Sequence, residues 1–115
     1  MTTYAVTGAT GNVGRLVLDE LLQTANAGDI VALAQARLID PATGAIGEHY
    51  DADWQFAADA DGQLREPGHQ FAWVHLLDQA ERLLGGAHGD AIGRLARFGN
   101  RHGVRDGRVL FAVDA

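Results

Sequence analysis

Nine cations, every one an arginine, face fifteen carboxylates in 115 residues, for a formal net charge of -6 and a pI near 5.1. With no lysine there is no Schiff-base chemistry and no P-loop lysine, and with no cysteine there is no disulfide, thiol nucleophile or thiolate metal site. The arginines are scattered, so neither nucleic acid nor an anionic membrane surface is an expected partner. No apolar run approaches a bilayer span, and the opening MTTYAVTGATG lacks the basic-then-apolar order of a signal peptide, so a cytoplasmic location is expected.

Thr3–Thr7 (TYAVT) is a β-rich run that stops at Gly8 and reads as a buried strand. Gly8, Gly11 and Gly14 follow at a spacing with a physical purpose. The first permits a sharp turn, the second lets backbone approach a pyrophosphate, and the third lets a helix pack closely on a sheet with its N-terminal amides aimed at phosphates. Val13–Ala27 has helical spacing, with Val13, Leu16, Val17, Leu21 and Leu22 on one face, and Gly28 suits its C-cap. Ile30–Ala34 (IVALA) reads as a second buried strand, completing one right-handed βαβ unit.

Together TYAVTGATGNVGRLVLDELL and DIVALA resemble the start of the NmrA-like, quinone-oxidoreductase-like atypical short-chain dehydrogenases. The resemblance implies a Rossmann-like NAD(P)-binding unit over residues 1–35, in which Gly8, Thr10, Gly11, Asn12 and Gly14 would cradle the phosphates of NADP or NAD. Gln35 stands where such proteins usually carry the arginine that reads a 2′-phosphate, and no acidic residue replaces it to favour NAD. No further βα alternation and no Tyr-x-x-x-Lys pair follow, so the turn is expected to be an orphaned strand–helix corner.

The character changes near Gln35. Asp40–Gly47 (DPATGAIG) is a turn cluster, and Asp51–Pro67 is the longest irregular stretch, polar and acidic. Asp51, Asp53, Asp59 and Asp61 alternate within it but lack the glycine and terminal glutamate of an EF-hand loop. They read as solvated carboxylates, and no metal is expected. Trp54 reads either as a sugar-stacking ring or as a loop tryptophan folded back on the helices. Helical period returns over His69–Leu84, with Trp73, Leu76, Leu77, Ala80, Leu83 and Leu84 on one side, and Gly85-Gly86 ends it. Asp90 suits the N-cap of a second helix reaching about Arg101, with Ile92, Leu95, Ala96 and Phe98 as its apolar positions. Gly103 closes that helix, and Val109–Val113 reads as a terminal strand.

Three segments, ARLIDPATGAIGEHYDADWQ, LREPGHQFAWVHLLDQAERL and RLARFGNRHGV, resemble the N-acylglucosamine 2-epimerase family over about 36–115. The resemblance implies part of an (α/α)6 barrel and cofactor-independent proton transfer at a sugar C2, with histidines as acid and base around an enediol-like intermediate. His69, in EPGHQF, matches one such catalytic histidine. The family pattern is His-x-x-Glu; here that position is Ala72, so the partnering carboxylate is expected to be absent. A second catalytic histidine and a substrate-binding arginine fall in barrel segments with no counterpart here. His75 lies about 240° around the helix from His69 and cannot stand in. His88 and His102, at helix–loop junctions, read as solvated.

The expected fold class is thus mixed α/β: a Rossmann-like βαβ unit over 1–35, then a long loop and an α-helical hairpin resembling part of an (α/α)6 barrel over 36–115. The chain reads as a chimeric or truncated fragment of a sugar 2-epimerase or aldose–ketose isomerase, silent alone, needing no cofactor and meeting a small-molecule sugar. Two alternatives stand beside this, an NAD(P)-binding quinone-oxidoreductase fragment and a non-enzymatic fusion. Helical arrays shorter than about three units leave apolar faces uncovered, so self-association is expected.

Overall fold

A computed structural model describes residues 27–115. The strand Thr3–Thr7, the glycine turn and all but the last residue of the helix over Val13–Ala27 lie outside them. The described chain begins with helix α1, Ala27–Leu33, which passes directly into a π-helical turn over Ala34–Leu38. Ile39 N–H closes that turn on Ala34 O, five residues back, before the backbone becomes extended.

This corrects the strand expected over Ile30–Ala34 and, with it, the βαβ unit. A five-residue apolar run has too little length to separate a buried strand from a helix. The deciding contacts come on both sides of its end. Val31, Ala34 and Leu38, at i, i+3 and i+7, turn inward, while Ala32, Gln35, Ala36 and Arg37 are exposed. The helical segment therefore runs through Gln35, where the sequence changes character.

Helix α2 (Pro67–Leu84) and helix α3 (Gly89–Gly103) form the expected hairpin. α2 starts two residues before His69 because Pro67 takes the first helical position, where its missing N–H costs nothing. His88 occupies the N-cap position of α3 without a side-chain capping bond, and Asp90 falls in the first turn. The helices run antiparallel and very close at one end. A Cβ at Gly99 would lie 2.8 Å from Phe71 Cζ, and one at Gly103 would lie 2.3 Å from Pro67 Cβ.

The core lies between this hairpin and the segment after α1. Leu77 and Leu95, both fully buried, meet Ile39 and Ile46, which pair as an isolated antiparallel bridge. Val31, Leu38, Trp73, Val74 and Ile92 pack around them. Burying each leucine contributes about 1.5–3 kcal/mol. The turn between the bridge residues is tied by Asp40, whose carboxylate accepts from Ala42 N–H at 2.8 Å and Thr43 Oγ1 at 3.1 Å.

Two small antiparallel sheets complete the described residues. β1 (Leu64–Arg65) pairs with β4 (Val113–Asp114), bringing the C-terminal segment beside the approach to α2. β2 (Val104–Arg105) and β3 (Arg108–Val109) form a hairpin across Asp106-Gly107, whose φ values of 53° and 73° give the two left-handed residues of a type I′ turn. The strand expected over Val109–Val113 is thus two separate ends, with Phe111 exposed between them. The described region is helix-rich with small sheets, and none of its helices is long and apolar enough to cross a membrane.

Candidate functional site

Gln70 organises the site. It is fully buried in the first turn of α2, and its amide makes two bonds to one residue of the preceding loop. Ile46 N–H donates to Gln70 Oε1 at 2.8 Å, and Gln70 Nε2 donates to Ile46 O at 2.8 Å. A side chain thereby does what a neighbouring strand would do, and the backbone at 46 is locked to the helix. The same Nε2 also reaches Glu66 O at 3.3 Å.

With Ile46 held, Glu48 sits over the start of α2. Its Oε1 accepts from Glu66 N–H at 3.0 Å, a donor that the helix leaves without an intrahelical acceptor. In a capping box that task falls to a glutamate at the third helical position. Here the third position is His69, and Glu48 serves from outside the helix. Glu48 Oε2 lies 2.6 Å from His69 Nδ1, and Glu66 Oε2 lies 3.5 Å from the same nitrogen. The Glu48 side chain is 11% exposed and that of His69 is 25% exposed, so the pair is sheltered but open at the ring.

Tyr50 braces this loop from behind. Its hydroxyl donates to Leu38 O and accepts from Gly47 N–H at 2.8 Å. Burial pushes its pKa up to about 12, outweighing the Gly47 N–H and the Arg65 charge, which act the other way. Arg65 is itself 2% exposed, donates to Gly62 O and Leu64 O at 2.8 Å, and lies 4.6 Å above the Phe56 ring.

The N-acylglucosamine 2-epimerase family model matches residues 18–107. The chain belongs to that family. A curated relative, the mannose-6-phosphate isomerase of Rhizobium meliloti (strain 1021), is 43% identical over 51 residues. That alignment covers 44% of this chain and 13% of the isomerase, so the chain matches a small share of its relative's length. No solved structure gives a significant match. The family match begins inside the stretch read as a dinucleotide-binding unit, and Gly8, Thr10, Gly11, Asn12 and Gly14 lie outside the described residues.

Within this epimerase-family chain, His69 stands where the motif places it, at the first turn of α2. The expectation that it lacks a carboxylate partner is corrected. Ala72 is exposed one turn further along, and the carboxylate comes from Glu48, 21 residues upstream. Sequence reasoning looked along one helix face and so missed Glu48, Glu66 and Gln70. The available signal was the glutamate of GEHY, which lies inside a segment already matched to the family.

The remaining candidates lie elsewhere. His75 is exposed on α2. His88 Nδ1 is 2.8 Å from Gln35 Nε2, and its backbone N–H donates to Glu81 Oε2 at 2.9 Å, so it ties the π-helical turn to the α2–α3 turn. His102 is exposed, its ring 4.8 Å from that of Phe98. Trp54, with φ of 62°, turns onto Tyr50 of its own loop at a ring separation of 6.4 Å. Asp51, Asp53, Asp59 and Asp61 are all exposed, and Asp51 and Asp59 accept from N–H groups of their own turns. Among the described residues, the grouping able to present metal ligands is instead Glu48, Glu66 and His69, whose donor atoms fall within 4.8 Å of one another.

Proposed function

We propose that this chain carries one acid–base histidine of a sugar epimerase or aldose–ketose isomerase, in a fragment that does not turn over substrate by itself. The observation that carries the reading is His69 in EPGHQF, at the N-terminus of α2, with its Nδ1 2.6 Å from Glu48. Family membership supports the substrate class, a small open-chain sugar or N-acylamino sugar.

In this reading His69 exchanges the proton on the carbon beside the carbonyl. Removing the C2 proton of an aldose sends the C2–H electron pair toward C1 and leaves an enediolate with its negative charge on the former carbonyl oxygen. Return of a proton to the opposite face of C2 gives the epimer. Return to C1, with the C2 hydroxyl losing its proton as O1 gains one, gives the ketose. Either outcome needs a second proton carrier and groups that hold the sugar. The short share of the isomerase covered by the alignment supports placing those groups on further segments.

The test is deuterium exchange at C2 of mannose, mannose 6-phosphate and N-acetylmannosamine in D2O, followed by proton NMR. Exchange no faster than in buffer is expected of the chain alone. Turnover that disappears in His69→Ala would overturn the silence of the fragment and confirm the assigned histidine together.

A further inference from the structure

We infer that the arginines at the junction of α3 with the β2–β3 hairpin dock on the acidic loop of a second copy of this chain, giving a two-fold dimer held by charge. Arginine is not evenly scattered, which corrects the expectation from the sequence. Five of the nine fall within residues 94–108, beside one acid, Asp106. Arg97 and Arg101 are exposed on α3, four residues apart and so on one helix face. β2 continues from Gly103 without a linker, and the next two arginines pair across the hairpin, Arg105 opposite Arg108. Both are exposed, and like charges directly opposite on two strands repel. Among the described residues, the one arginine in an ion pair is Arg82, with Asp78. The charge at the hairpin is therefore unmatched within its own copy.

The complementary charge lies on the loop before α2. Residues 51–61 hold four aspartates and no cation, and all four are exposed. Asp51 and Asp59 serve their own turns, whereas no bond or ion pair among the described residues engages the carboxylates of Asp53 and Asp61. Both patches flank the end of the helical pair where Gly103 meets Pro67. The aspartates lead through β1 into α2, and the hairpin leaves α3 there. A surface with both signs side by side is self-complementary about a two-fold axis, because each patch meets its opposite on the partner. A nucleic acid or an anionic membrane would meet the aspartates together with the arginines, so a second copy is the occupant that uses both.

Sedimentation equilibrium of the full chain tests this. Contacts between exposed charges are individually weak and screened by salt. The weight-average mass is expected to exceed the monomer's 12.2 kDa at about 20 mM salt and to return to it by about 0.5 M. Arg105→Glu with Arg108→Glu is expected to keep the chain at monomer mass in low salt, and so is Asp53→Arg with Asp61→Arg. An equimolar mixture of these two variants is expected to regain the mass, since each reversed patch then faces its opposite. If the hairpin variant loses amide dispersion, Arg97→Glu with Arg101→Glu takes its place. Monomer mass for the native chain at low salt would overturn the dimer, as would two monomeric variants that stay apart when mixed. A mass gain that persists at high salt or survives both reversals would assign association to the apolar faces instead. Binding of a labelled oligouridylate by a chain that stays monomeric would give the arginines to a nucleic acid and overturn the inference equally.

Discussion

The two ends of α2 are built on opposite principles. At its start one side is closely engaged: Pro67 against Gly103, Gln70 on Ile46, Phe71 on Gly99, and the Glu48–His69 pair at the rim. At its finish Leu83 and Leu84 stand 80% and 55% exposed, and Gly85 and Gly86 lead into the turn. Amphipathic spacing is similar along the whole helix, yet only one end is covered. Hydrophobic pattern records where a helix is able to bury surface, and partner groups decide where it does so. The polar clamp has put the candidate chemistry at the covered end.

Four substitutions break or sharpen this contrast. Leu77→Ala, in the centre of the core, is expected to destabilise most, by about 2–5 kcal/mol in urea unfolding. A loss below about 1 kcal/mol would mean that the helix pair does not share one core with Ile39 and Ile46. Gln70→Leu fills the same space but strands the N–H and C=O of Ile46, and about 1–3 kcal/mol should be lost. The cross-peaks of Glu48 and His69 should move with it; an undisturbed His69 would show that the clamp does not position the rim.

Tyr50→Phe removes the hydroxyl that joins Gly47 to Leu38, and about 0.5–1.5 kcal/mol should go at neutral pH. Its sharper signature is in base. Because burial raises the folded-state pKa from 10.0 to about 12, the folded chain holds the phenolic proton after the unfolded chain has released it. The contribution is whole below pH 10 and is lost as pH rises toward about 12, so native stability should fall across that window faster than that of Tyr50→Phe. Parallel curves would remove Tyr50 from the buried brace. At the far end, Leu83→Gln should change stability by less than about 0.5 kcal/mol, while lowering the weight-average mass in sedimentation if the exposed leucines associate. A large destabilisation would show that the finish of α2 is covered in solution.

The hairpin was legible because apolar spacing and glycine punctuation agree over long stretches: α2 and α3 differ from their expected ranges by one or two residues at the ends. The Asp-Gly of VRDGRV is a hairpin signal legible in the sequence, and it divides the apolar run after it into two strand ends. Ile30–Ala34 failed for a different reason. The run is uniformly apolar, and only its contacts at Val31 and Leu38 carry a helical period. The site was half legible. A motif located His69, but Glu48 and Gln70 act across 21 and 24 residues through a loop with no period, and spacing is silent on such pairs.

The Gln70–Ile46 bridge has one last consequence. A carboxamide keeps its protonation state across the accessible pH range, so the fastening between loop and helix is indifferent to acidity. The Glu48–His69 contact beside it thus rests on a fastening that acid and base both leave closed.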